Sequence, residues 1–176
     1  MSIHKHTQRG FTLLELLVSM AIIGLLASFV LTAIYTAREK ARDTERLAEL
    51  RELQAALEFT YSRDGTYPVS HWTCSHEANW DSGALANAIN EYMNQMPTDP
   101  INGSTGRSAN GSDYNYCYFS RAGGDEGEWY MLTVLMETPH LELESRDGVT
   151  DCNGSWFDFD SVNGYILTLG TSCLNR

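Results

Sequence analysis

The sequence predicts an α+β fold, a lollipop in which one long helix is laid on a small antiparallel sheet. Three features predict it. Residues 16–37 are an uncharged apolar run. Residues 38–63 continue it without a proline but with mixed charges, and carry an apolar stripe at Leu47, Leu50, Leu53, Leu57 and Tyr61. Three runs rich in aromatic and β-branched residues follow at 114–120, 129–137 and 164–169, with turn residues between them.

The apolar run is preceded by a short leader, residues 1–10, carrying Lys5 and Arg9. A cleaved secretory signal is the first reading to weigh. Its apolar region spans about 7–15 residues, whereas 16–37 is 22 residues, enough for about 30 Å of hydrocarbon. No small-x-small cleavage site follows: Leu31 stands two before Ala33, and Tyr35 two before Ala37. The segment is therefore read as retained. One carboxylate, Glu15, sits at its mouth, where a charge is costly and calls for a partner. Basic residues flank both ends, Lys5 and Arg9 before and Arg38, Lys40 and Arg42 after, so charge alone does not choose the orientation.

Spacings of three and four in the 38–63 stripe place its apolar residues on one helix face. One helix of about 50 residues, near 75 Å at 1.5 Å per residue, follows from residues 12–63. Its first half is apolar all round and wants lipid or other helices; its second half wants a sheet. Asp64-Gly65 and Tyr67-Pro68 end it by turn chemistry. Residues 82–96 read as a shorter helix with Leu85, Ile89, Tyr92 and Met96 on one side, stopped at Pro97.

The net charge of −11 is uneven: residues 64–176 hold 16 acidic and 4 basic side chains. An acidic domain of this kind offers little to nucleic acid, and no direct nucleic-acid partner is expected. All four cysteines, Cys74, Cys117, Cys152 and Cys173, follow the apolar run, which suggests disulfides in an oxidising compartment. Three pairings are possible; Cys152–Cys173 and Cys74–Cys117 are favoured, against four reduced thiols. His71, Cys74 and His76 offer three soft ligands in six residues, short of the usual zinc set. Asp147, Asp151, Asn153, Asp158 and Asp160 gather oxygen ligands suited to Ca²⁺ in a Gly-containing loop, though not in EF-hand register. Asn102, Asn110 and Asn153 each head an Asn-Gly-Ser triplet, read as turns. No nucleophile elbow, phosphate loop or catalytic carboxylate pair is present; the chain is read as an enzyme's substrate and not as an enzyme.

The run Arg9-Gly10-Phe11-Thr12-Leu13-Leu14-Glu15, between a basic leader and an apolar stretch, resembles the processing site of type IV prepilins and pseudopilins. The resemblance implies cleavage after Gly10 by a membrane prepilin peptidase, which also methylates the new N-terminus at Phe11. It implies that Glu15 meets the ammonium of a neighbouring subunit and sets the axial step of a homo-oligomeric helical filament. Membrane lipid before assembly, and an inner-membrane assembly platform, would be the other partners. With the cysteines, the resemblance places the N-terminus in the cytoplasm and the C-terminal domain outside, first at the inner membrane and then in a periplasmic or extracellular filament. The domains are then a leader at 1–10, a filament-core helix at 11–37, its amphipathic half at 38–63, and a globular domain at 64–176.

Pro97-Thr98-Asp99-Pro100 ahead of a Gly-rich loop resembles the major pseudopilin of type II secretion, with Ile101-Asn102 where Trp-Gly often stands. Members of that group carry calcium in a late loop, which points to Asp151, Asn153, Asp158 and Asp160. Many family members have a proline about where Thr32 stands here. The leading expectation is a type IV pilus-like filament subunit, and the alternative a type II secretion major pseudopilin. From another class comes a monomeric, membrane-anchored binding module.

Overall fold

The structure, a computed structural model, describes residues 11–103, 106–108, 113–120, 127–139, 148–157, 159 and 165–173. It divides into two compact units, residues 1–38 and 39–176. Within the first, helix α1 begins at Leu13; it runs on to Asp64 in the second. The described residues of the first unit up to 37 are all exposed, with a window of mean hydropathy 2.5 that is long and apolar enough to cross a membrane. Its hydroxyls do not spoil that surface. Ser19, Thr32 and Thr36 donate to the carbonyls of Glu15, Ser28 and Thr32, and Ser28 to that of Leu25. Each is thereby satisfied by its own helix.

In the second unit, order follows the chain: β1 (Thr73–Cys74), α2 (Ala84–Ile89), β2 (Cys117–Phe119), β3 (Tyr130–Met136), β4 (Val149–Thr150), β5 (Trp156–Phe157) and β6 (Tyr165–Thr171). Strands β1-β2-β3-β6 form one antiparallel sheet in that order, and β4-β5 a second, two-stranded one. The long pairing is β3 with β6, from Tyr130 opposite Thr171 to Met136 opposite Tyr165.

Side chains alternate across this sheet, as a period of two requires. Tyr116, Tyr118, Tyr130, Leu132, Val134 and Leu167 face Leu47, Leu50, Leu53 and Leu57 of α1 and form the main core. Phe119, Trp129 and Met131 face the other way and pack with Trp72, Phe157 and Phe159 in a second cluster. Gly65, at φ 77, ends α1 with its N–H on the carbonyl of Tyr61 at 2.8 Å, a left-handed cap that glycine adopts without strain. Gly170 is needed for another reason: a Cβ there would lie 2.2 Å from the Tyr130 carbonyl oxygen.

Four elements differ from expectation. The second helix occupies only Ala84–Ile89, not 82–96. Gly83 gives it no side-chain cap, and the chain after Ile89 turns so that Trp80 can donate from its indole to the Pro97 carbonyl at 2.8 Å. Leu85, Ile89 and Met96 are buried as the pattern requires, but Tyr92 is 39% exposed. Strands β1, β4 and β5, two residues each, are too short to leave a periodic signal. Disulfides join Cys74 to Cys117 and Cys152 to Cys173. The first bridges directly paired residues of β1 and β2.

Candidate assembly site

The mouth of α1 is a reciprocal cap. The Glu15 carboxylate accepts the Thr12 N–H at 2.9 Å and the Thr12 hydroxyl at 3.0 Å, while Thr12 Oγ1 accepts the Glu15 N–H at 3.2 Å. This is a capping box, Thr at the N-cap and Glu three residues on. The positive end of the helix dipole adds to the preference for an anion here. Both contacts fall on Glu15 Oε2, and Oε1 has no hydrogen-bond partner among the described residues. Phe11 is 79% exposed, ahead of the helix. Gly10 lies outside the described residues, as do His4, His6, Asn110, His140, Asp147, Asp158 and Asp160. The Thr-x-x-Glu spacing before an apolar run is a capping signal in the sequence that the expectations for Glu15, its membrane cost and its pairing with a neighbour's ammonium, do not use.

A second constellation lies within residues 39–176, where α1 meets the sheet. Arg46 is fully buried. It donates from Nε and Nη2 to the two oxygens of Asp99 at 2.7 and 3.1 Å, and from Nη1 to Asp43 at 2.8 Å and Glu137 at 2.7 Å. Its guanidinium lies 4.9 Å from the Tyr114 ring centroid. Arg42 adds a bidentate pair to Glu137. Asp43 in turn accepts the N–H groups of Glu137 and Thr138, at 2.9 and 2.8 Å, and the Thr138 hydroxyl. Asp99 accepts the N–H groups of Ile101 and Asn102 at 2.8 and 3.2 Å.

One guanidinium thus ties α1 to the Pro-x-Asp-Pro element and to the chain just past β3. Burial pulls the Arg46 pKa down, and the hydrogen bonds to Asp99 and Glu137 more than reverse this. Glu137 is held below the usual carboxylate range, chiefly by its hydrogen bond from Arg42. Sequence reading took Pro97–Pro100 as a helix stop and missed that Asp99 is a buried counter-ion. The available signal was spacing: of the five arginines of α1, Arg46 stands four residues before Leu50 and so falls on the buried face of the helix.

Of the three soft ligands in 71–76, already short of a zinc set, Cys74 is spent on a disulfide. His71 is exposed, and His76 Nδ1 lies 3.3 Å from Asn115. Among the described residues no group of three His, Cys, Asp or Glu side chains could hold a metal ion. Of the calcium candidates, Asp151 is buried and its Oδ1 accepts the N–H groups of Asn153 and Ser155 at 3.0 and 2.7 Å. That geometry makes a turn, and the described residues do not by themselves fit a calcium site. Asn102, at φ 44, also sits in turn backbone.

The amino-terminal segment matches the family described as prokaryotic N-terminal methylation motif, over residues 5–31. The chain is 34% identical over 147 residues to type II secretion system core protein G of Escherichia coli, covering 82% of this chain and 90% of the relative. It is 30% identical over 159 residues to the protein of the same name from Klebsiella pneumoniae, covering 85% and 94%. Fimbrial protein EcpC of Eikenella corrodens is 33% identical over 94 residues, covering 52% and 55%. No solved structure matches the chain. With the two core protein G relatives matched over 90% and 94% of their length at 34% and 30% identity, the chain belongs to the type IV pilin and pseudopilin family, alongside type II secretion system core protein G.

Proposed function

We propose that this chain is the major pseudopilin of a type II secretion system, a structural subunit and not an enzyme. The observation that carries the reading is the likeness to core protein G, which covers 82% and 85% of the chain and so reaches well into the C-terminal domain, beyond the methylation motif. This reverses the order of the sequence expectations, in which a pilus subunit came first. The pilus reading keeps one support, the partial likeness to a fimbrial protein.

In this reading a prepilin peptidase cuts after Gly10 and methylates Phe11. The precursor crosses the inner membrane once, with residues 39–176 outside. An assembly platform then moves apolar helices from lipid into a filament core. The new ammonium of an incoming subunit is met by Glu15 of its neighbour, whose Oε1, without a partner among the described residues, suits a second, intermolecular contact. Mass spectrometry of the mature protein tests the processing step. The expected N-terminus is N-methyl-Phe11 without residues 1–10, and an intact leader would overturn the reading. Deletion separates the two family roles: loss of protein export without loss of surface fibres supports the pseudopilin, and loss of surface fibres alone supports the pilin.

A further inference from the structure

The proposed filament brings together acidic domains that should repel one another, since residues 64–176 carry 16 acidic against 4 basic side chains. Something must offset that repulsion where two copies touch. Two surfaces of the domain are matched for it.

The first is a groove of ≈ 420 Å³ between the outward side of α1 and residues 92–95. Ala55 and Ala56 leave room at its floor. One wall is Phe59, 59% exposed and stacked on Tyr92 at 5.4 Å. Glu52 and Met93 line it as well, and both also line an adjoining cavity of ≈ 330 Å³ together with Glu49. The Glu49 carboxylate is engaged by the Tyr116 hydroxyl; Glu52 makes no ion pair among the described residues. Beside Tyr92, Arg63 is already neutralised by Asp64 and Glu91. Apolar walls with a carboxylate that has no ion-pair partner among the described residues suit a long side chain with an apolar stem and a planar cation.

The second surface carries such a side chain. Arg107 is the only basic residue of 64–176 that lies among the described residues. It is exposed and makes no ion pair there. Its guanidinium rests 5.7 Å from the Trp72 ring centroid. A cation–π contact of this kind holds the group in place without neutralising it. Trp72 belongs to the Trp129 cluster on the face of the sheet away from α1, and the neighbouring Ser108 bonds Thr133 on that same face.

We propose that Arg107 of one copy docks into the Glu52–Phe59–Tyr92 groove of the next. This rests on the filament reading and names the contact it needs. Because the two surfaces lie on opposite faces of the domain, the contact is heterologous. A heterologous contact that does not close on itself generates an open helical filament in place of a dimer.

The test is charge exchange in the full-length chain, expressed with its own assembly machinery, with sedimentable filament as readout. Arg107→Glu and Glu52→Arg each should lower the sedimentable fraction about tenfold, and the double exchange should recover most of it. Each variant is first shown to keep both disulfides and the parent's thermal unfolding. A photo-crosslinking residue at position 107 should yield a dimer whose linked peptide contains residues 52–59 or 92–95. Wild-type assembly by Arg107→Glu overturns the docking, as does failure of the double exchange to recover, or capture of a different protein at position 107. Absence of any filament from the parent chain overturns the filament reading itself.

Discussion

Replacing Arg46 by Met is the sharpest test of how the domain is held to its helix. The substitution keeps an unbranched side chain of helical propensity but deletes four hydrogen bonds. The three carboxylates left behind do not suffer equally. Glu137 keeps Arg42, and Asp43 keeps its two backbone N–H groups and the Thr138 hydroxyl. Asp99, fully buried, keeps the N–H groups of Ile101 and Asn102 and loses its one counter-ion among the described residues. Removing one partner of a buried pair typically costs about 3–5 kcal/mol, because the other charge is stranded. Arg46→Met is expected to cost that much, a fall in Tm of roughly 10 °C for a domain of this size.

If stranding is the cause, neutralising the stranded group should restore part of the loss. Asp99→Asn in the Arg46→Met background keeps an acceptor for both backbone N–H groups while removing the buried charge. The double variant should therefore be more stable than Arg46→Met alone, with a coupling of about 1–3 kcal/mol. Urea unfolding of the full chain in detergent, followed by Trp fluorescence, measures all four corners of the cycle. A loss under about 1 kcal/mol for Arg46→Met, or strict additivity, would refute the argument.

Four further outcomes are expected. Glu137 is held below its ordinary value of 4.5, chiefly by Arg42, so its stabilisation is complete above that pH and is lost as pH falls through the depressed value; Tm should decline in that acid range, and less steeply in Glu137→Gln. Glu49 has the opposite sign, since burial raises its pKa; Glu49→Gln, which still accepts from Tyr116, should not lower the urea midpoint at pH 7. Reducing Cys74–Cys117 and Cys152–Cys173, which close loops of 43 and 21 residues, should cost about 4 and 3 kcal/mol by chain entropy, read as separate shifts in paired Cys→Ser variants. Thr12→Val removes the cap at the start of α1, worth about 1 kcal/mol, and should leave leader cleavage intact while amide exchange at residues 13–16 speeds up.

The parts of the fold that could be read from sequence are those with a period. The stripe at Leu47, Leu50, Leu53 and Leu57 and the alternation through Tyr130, Leu132 and Val134 each repeat often enough to fix a face, and those faces meet in the core. What repeats fewer than three times left no such trace. Strands β1, β4 and β5 exist because a neighbour offers them a hydrogen-bonding edge, which is tertiary information. The shortened α2 is a similar case. Its pattern runs to Met96, but Pro97 has to bring its carbonyl to the Trp80 indole, and local propensity yields to that contact.

The assembly site divides along the same line. Glu15 could be picked out because a carboxylate at a lipid boundary conflicts with its surroundings. The cap made with Thr12 adds a constraint on any intermolecular role. Oε2 is committed within the chain, so an incoming ammonium has to compete with Thr12 or approach Oε1. An approach at Oε1 keeps the helix start intact while the charge is neutralised, and that is the cheaper route in hydrocarbon, where a freed N–H has no water to turn to. Thr12→Val and Glu15→Gln then separate two effects that Glu15→Ala would merge. Glu15→Gln keeps an acceptor for the cap and loses the charge, so assembly should fail with the helix start preserved. Thr12→Val loosens the start and keeps the charge, so assembly should persist. Equal loss of filaments in both would mean that the cap, and not the ion pair, is what a neighbouring subunit requires.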